Sequence, residues 1–212
     1  MTSVTILLTG FGPFPGAPFN PTEHLVKRLA RLRRPALADV TIVRHVFATS
    51  YAAIDRELPR LIAKHKPDAL LMFGLAPRAR WLRVETRARN TLALLPDVTR
   101  ATPRGHAIAA GEPAALAMPS PARRLLAAAR AARLPAALSR DAGRYLCNYL
   151  CWQAALAARK GPNFGPRIAA FVHVPNTGRK PLRQGKKRRF TVDDLTRAGA
   201  HLLVEVTAAA RR

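Results

Sequence analysis

Ala69-Leu70-Leu71-Met72-Phe73 is an unbroken apolar run closed by Gly74. A run this short and continuous reads as a strand buried on both faces, as in a parallel sheet covered by helices. On its N-terminal side, Tyr51–Lys64 reads as a helix and Asp39–Val46 as a strand. Further back, Val4–Leu8 is a first strand, followed by a Gly/Pro-rich loop to Asn20. Pro21 then sits where a first-turn proline belongs and opens a helix through about Leu32. Toward the C-terminus, Trp81–Thr86 alternates as a strand does. Pro121–Arg133 is a helix, Ala136–Leu138 a short strand, and Tyr145–Arg159 a helix. Ile168–His173 is a strand with a polar end, and Thr191 with Asp194 makes a capping pair for a last helix to about Ala209. From Thr91 to Pro121, Pro96, Pro103, Gly105 and Gly111 break every pattern, so a long surface excursion is expected. The alternation predicts an α/β fold: one three-layer α/β/α domain over residues 1–212 with a mostly parallel, mixed central sheet.

The bulk properties narrow the function classes. A chain of 212 residues, 49% hydrophobic, suits one globular core. No apolar run approaches the roughly 20 residues that span a bilayer, and Met1-Thr2-Ser3-Val4 lacks the start of a secretory signal. With Cys147 and Cys151 alone there is no disulfide framework, and helix geometry does not favour bridging them. A cytoplasmic setting without membrane contact follows as the expectation. No metal or cofactor is expected, since the cysteine spacing is wrong for zinc and no partners cluster nearby. The net charge of +24 raises nucleic-acid binding as a reading, yet the basic residues are spread along the chain. The densest patch, Arg179-Lys180, Arg183 and Lys186-Lys187-Arg188-Arg189, reads as a solvated loop before the last helix. Non-specific polyanion binding at low salt is expected of it.

Three segments fall at expected strand ends, where open α/β sheets bind ligands: the loop Thr9–Phe14, Cys147 after a strand-to-helix turn, and His173. Near a helix start, backbone N–H groups and the helix dipole would favour a Cys147 thiolate. From position alone, Cys147 is either a nucleophile or a small buried core residue. His173 is either a general base or a hydrogen-bonded core histidine. Glu85 either orients that base or pairs with a neighbouring arginine. For Phe11 and Phe14 the plain alternative is core packing.

Taken together, four stretches in this order resemble the type I pyroglutamyl peptidases, which are cysteine peptidases. They are Ile6-Leu7-Leu8-Thr9-Gly10-Phe11-Gly12-Pro13-Phe14 continuing to Asn20-Pro21, then Gly74 with Glu85 and Asn90, then Asp141–Leu150, then Phe171-Val172-His173-Val174-Pro175. The resemblance covers most of residues 4 to 205 and implies a catalytic triad of Cys147, His173 and Glu85. It implies removal of an N-terminal pyroglutamate from a blocked peptide through a Cys147 thioester. Phe11 and Phe14 match positions that flank the lactam ring, and Asn20 and Leu75 fall beside the same pocket. It also implies a homo-oligomer, often a tetramer.

The departures lie around the pocket. The family's glutamine after Gly74, and the Gly-Gly-Arg run that follows, are here Leu75-Ala76-Pro77-Arg78-Ala79-Arg80. Leu94-Leu95-Pro96-Asp97 stands where many members carry an arginine before Ile-Pro-Asp, and Asn176 replaces a large apolar residue. These changes keep open the same triad acting on another N-terminal acyl or cyclic group. The charge keeps open a nucleic-acid-binding protein on an inactive scaffold. The sequence alone predicts that Cys147 reacts with iodoacetamide well below the pH of a free thiol, and that His173→Ala removes this reactivity.

Overall fold

A computed structural model describes residues 3–161, 164–178 and 190–212. In chain order the elements are β1 (Val4–Phe11), α1 (Pro21–Leu29), β2 (Val40–Phe47), α2 (Tyr51–His65), β3 (Ala69–Leu75), β4 (Leu82–Glu85) and β5 (Arg87–Arg89). They continue as β6 (Ala115–Ala117), α3 (Ala122–Ala131), β7 (Ala136–Ser139), α4 (Leu146–Arg159), β8 (Ile168–Val174) and α5 (Val192–Ala210). Six strands form one sheet in the order β2-β1-β3-β8-β4-β7. β2, β1, β3 and β8 run parallel; β4 runs against β8, and β7 runs with β4. The α/β expectation with a mostly parallel, mixed sheet is met. The basic patch Arg179–Arg189 lies outside the described residues.

Side chains alternate along each strand, so the two faces of the sheet carry two different cores. Ile6, Leu8, Leu71, Phe73, Leu82, Val84, Ala170, Val172 and Val174 face α1, α3 and α5. Leu7, Phe11, Leu70, Met72, Ala169 and Phe171 face α2 and α4. The same period places Gly74, Arg83, Glu85 and His173 on the α4 face. It places Leu75, which is paired with Val174, on the α5 face. β3 and β8 are buried at every residue, which is why both read as continuous apolar runs.

Two sequence expectations are corrected. The first strand does not stop at Leu8 but runs on through Phe11, pairing Phe11 with Phe47. Gly10 makes this possible, because a Cβ there would lie 2.9 Å from the carbonyl oxygen of Thr22 at the start of α1. The second concerns residues 91–121, which contain a strand of their own: β6 pairs with β5 in a small antiparallel ribbon. Partly or fully buried polar side chains organise the rest. Asn90 accepts from the N–H groups of Ile108 and Ala109 and donates to Ala109 O at 2.7 Å. Asp97 accepts from Thr99 and Ala101 and, through its other oxygen, from the Tyr51 N–H at the start of α2. Although burial opposes it, these bonds and one from Ser50 hold the Asp97 carboxyl below its ordinary range.

Among the described residues no helix is long and apolar enough to cross a membrane. Gly10→Ala is expected to cost about 1–3 kcal/mol, because the added methyl meets backbone rather than a movable side chain. A lower urea midpoint with unchanged slope checks it.

Candidate active site

β8 delivers His173 one residue before its end, buried at 3% exposure. Its Nδ1 lies 2.7 Å from Oε1 of Glu85, a carboxylate with no exposure to water. The two come together because β4 runs antiparallel to β8, with Arg83 opposite His173 and Glu85 opposite Phe171. Arg83 extends from the same face of β4, and its Nε stands 3.3 Å from the same Oε1. Glu85 thus contacts both a histidine and an arginine through one oxygen. Arg83 also donates to the carbonyl of Asp141 at 3.0 Å, in the turn that leads to α4.

α4 begins at Leu146 after Tyr145 as its cap, so Cys147 occupies the second helical position. Its sulfur packs over Gly74, the residue of β3 in register with His173. A Cβ at Gly74 would lie 2.8 Å from Cys147 Sγ and 2.6 Å from the Phe171 ring. The bare backbone is therefore what lets the helix that carries Cys147 approach the sheet beside the histidine. Asn148 clamps the arrangement: its amide donates to the carbonyls of Arg89 and Thr91 and accepts from the Arg89 N–H. Cys151, one turn on, is fully buried in the core with a thiol pushed well above its usual range, and both cysteines are free.

The electrostatics correct one expectation. Burial pushes the Cys147 thiol up to about 12; the Glu85 charge adds to this and Arg83 opposes it. The expected lowering is not found, and no hydrogen bond joins Cys147 to His173 in this arrangement. Burial thus favours the protonated thiol at Cys147.

The structure treats the four expected pocket residues differently. Phe11 lies on the α4 face with its ring centroid 6.1 Å from that of Phe47. Phe14 is half-buried in a tight loop, exchanging backbone bonds with Ala17 across Gly16, whose φ is +87°. Asn20 is consumed by the fold: its oxygen caps α1 at the Thr22 N–H and its amide donates to Gly12 O. Leu75, paired with Val174 rather than with His173, lies by the strand period on the opposite face of the sheet from His173.

The sequence reading missed a cluster of three tyrosines beside Cys147. Tyr51 makes edge contacts with Tyr145 at 5.9 Å and Tyr149 at 5.1 Å. Tyr145 donates to Pro96 O and Tyr149 to Asp55, whereas the buried Tyr51 hydroxyl has no partner among the described residues. The signal was present: Tyr145 and Tyr149 flank Cys147 at helical spacing.

The chain matches the family model described as pyroglutamyl peptidase over residues 4–194. A pyrrolidone-carboxylate peptidase of Thermococcus kodakarensis is 30% identical over 202 residues, covering 95% of this chain and 94% of that protein. One from Clavibacter michiganensis is 34% identical over 172 residues, covering 81% and 78%. Among solved structures, the pyrrolidone carboxyl peptidase of Thermococcus litoralis superposes with a TM-score of 0.84 at 28% identity, over 98% of this chain and 96% of that one. Pyroglutamyl peptidase I of Bacillus amyloliquefaciens gives 0.83 at 28% identity, over 97% of each.

Two charges of opposite sign beside one thiol make a signed prediction. Alkylation of Cys147 in the unliganded protein is expected to climb only above about pH 9, the free-thiol range. Glu85→Gln moves that profile to lower pH and Arg83→Met to higher pH. Mass-spectrometric labelling across pH checks it, and half-maximal labelling of the parent protein below pH 8 would contradict it.

Proposed function

The chain belongs to the pyroglutamyl peptidase family, and on that premise we propose that it removes an N-terminal pyroglutamyl residue from peptides, with Cys147 as nucleophile, His173 as base and Glu85 as its orienting acid. One observation carries the assignment of roles: the Cys147 sulfur rests on Gly74, in register with a histidine held by a buried carboxylate. Glu85 takes the Nδ1 proton as its hydrogen-bond partner, which leaves Nε2 free to accept another.

In this reading the neutral lactam ring enters the apolar space flanked by Phe11 and Phe14. Nε2 of His173 takes the thiol proton as the sulfur attacks the carbonyl carbon of the pyroglutamyl residue. The oxygen gains the negative charge and meets N–H groups at the start of α4, where Leu146, Cys147 and Asn148 have no acceptor within the helix. As the C–N bond breaks, His173 gives its proton to the departing amine, leaving a thioester on Cys147. Water then attacks the thioester carbon, His173 takes its proton, and the thiol is restored as the C–S bond breaks. A thiol that rests protonated suits a mechanism in which proton transfer and attack are coupled to substrate arrival. The two free thiols support a reducing, cytoplasmic setting for this chemistry.

A second reading keeps the triad and changes the acyl group. It is favoured by Leu75, an apolar residue standing where the family carries glutamine. A panel of N-terminally blocked fluorogenic amides separates the two. Pyroglutamyl amide is expected to be the preferred substrate; Cys147-dependent cleavage of a different blocked amide, with pyroglutamyl amide untouched, would establish the second reading.

Within the leading reading, Cys147→Ala abolishes turnover, and His173→Ala lowers kcat by about 10³-fold or more. Glu85→Gln is expected to lower kcat by about 10²–10⁴-fold with a smaller change in KM. Steady-state kinetics on pyroglutamyl amide measure all three.

A further inference from the structure

We propose that the surface formed by Arg78, Arg80 and Trp81 is a binding site for acidic residues of the peptide downstream of the scissile bond. This rests on the peptidase reading above. The site is an open cavity of about 570 Å³ lined by residues 76–81 and Arg83. It begins directly after β3, whose Gly74 carries the Cys147 sulfur. Arg83 and Glu85 are alternate residues of β4, so they share the face of the sheet that carries His173, and Trp81 directly precedes that strand. Arg83 therefore belongs to both places: it lines the cavity and it touches the carboxylate that holds the base. On this proposal the residues that follow the one held over Cys147 run towards the cavity on the side marked by Arg83.

The chemistry of the surface selects the ligand. Arg78 and Arg80 are exposed and have no ion-pair or hydrogen-bond partner among the described residues. The remaining residues of the chain contain no Asp or Glu that could serve them. Each of the 12 carboxylates already has a partner, such as Glu112 with Arg159 and Glu205 with Arg124. Trp81, which lines the same cavity, is 45% exposed and presents a flat face suited to stacking on a peptide plane or side chain.

The loop is also held in shape. Ala79 N–H donates to Ala76 O across a turn with Pro77 in its second position, where proline presets the backbone. Ala76 N–H donates to Val174 O, and the Asn176 amide donates to Pro77 O at 3.3 Å. The departures of this chain from its family at 76–80 and at 176 are thus one structural unit. A rigid, doubly cationic rim binds anions with less ordering cost than a glycine-rich loop would.

The test uses the whole protein and three substrates: pyroglutamyl amide with no downstream peptide, and pyroglutamyl peptides carrying two Asp or two Ala residues after the scissile bond. For two exposed ion pairs, kcat/KM for the acidic peptide is expected to exceed that for the neutral one by about three- to tenfold at low salt. The preference should fall towards one near 1 M salt, where the Debye length is about 3 Å. Arg78→Ala with Arg80→Ala should erase the preference while leaving pyroglutamyl amide turnover unchanged. No preference, or one that survives the double substitution and so arises from the overall charge, overturns the proposal. Failure of the parent protein on pyroglutamyl amide instead overturns the peptidase reading. In that event the binding arm decides: in Cys147→Ser, the acidic peptide should perturb Trp81 fluorescence in a salt-sensitive way that the neutral peptide does not match. Equal responses to the two peptides would refute the acidic site.

Discussion

A carboxylate sealed from water inside a sheet must be matched by positive charge and hydrogen bonds, or it cannot stay ionised. Glu85 is that carboxylate, and much of the molecule is arranged to satisfy it. β4 runs against its neighbour, so a residue 88 positions later in the chain arrives beside it as His173. Arg83 supplies fixed charge from two residues away and reaches back to the turn before α4. The helix that carries Cys147 is positioned by the same group of contacts, since its sulfur can approach only where Gly74 leaves the backbone bare.

The layers of the fold were legible because burial writes itself into composition. Strands buried on both faces, such as Ala69–Leu75 and Ile168–Val174, must be apolar throughout, and a capped helix such as Val192–Ala210 announces its start at Thr191. What resisted reading was structure held by polar side chains at long range. Nothing local in 91–121 shows that Asn90 and Asp97 gather the backbone of distant residues, because an Asn looks the same whether it is solvated or buried. Gly10 misled for a related reason. It falls in the Gly/Pro-rich loop that the sequence suggests after Leu8, whereas it lies in a longer strand and permits close passage of a helix terminus.

At the site, residue types were legible and their surroundings were not. Cys147, His173 and Glu85 stand in ordered motifs. Whether Cys147 is ionised depends on how closely protein surrounds it, a three-dimensional quantity that position in a helix does not supply. Asn20 and Leu75 show the same limit: one side chain is spent on a helix cap, and the other is turned through the sheet by the period of the strand.

The full engagement of every carboxylate has a consequence away from the site. A chain with formal charge +24 whose acids are already committed has no internal means of neutralising its remaining cations. Its compensating anions come from solution, as a mobile atmosphere whose composition follows the buffer. The protein is then in effect a salt of itself, and its compactness, solubility and adhesion to other macromolecules depend on which anions surround it.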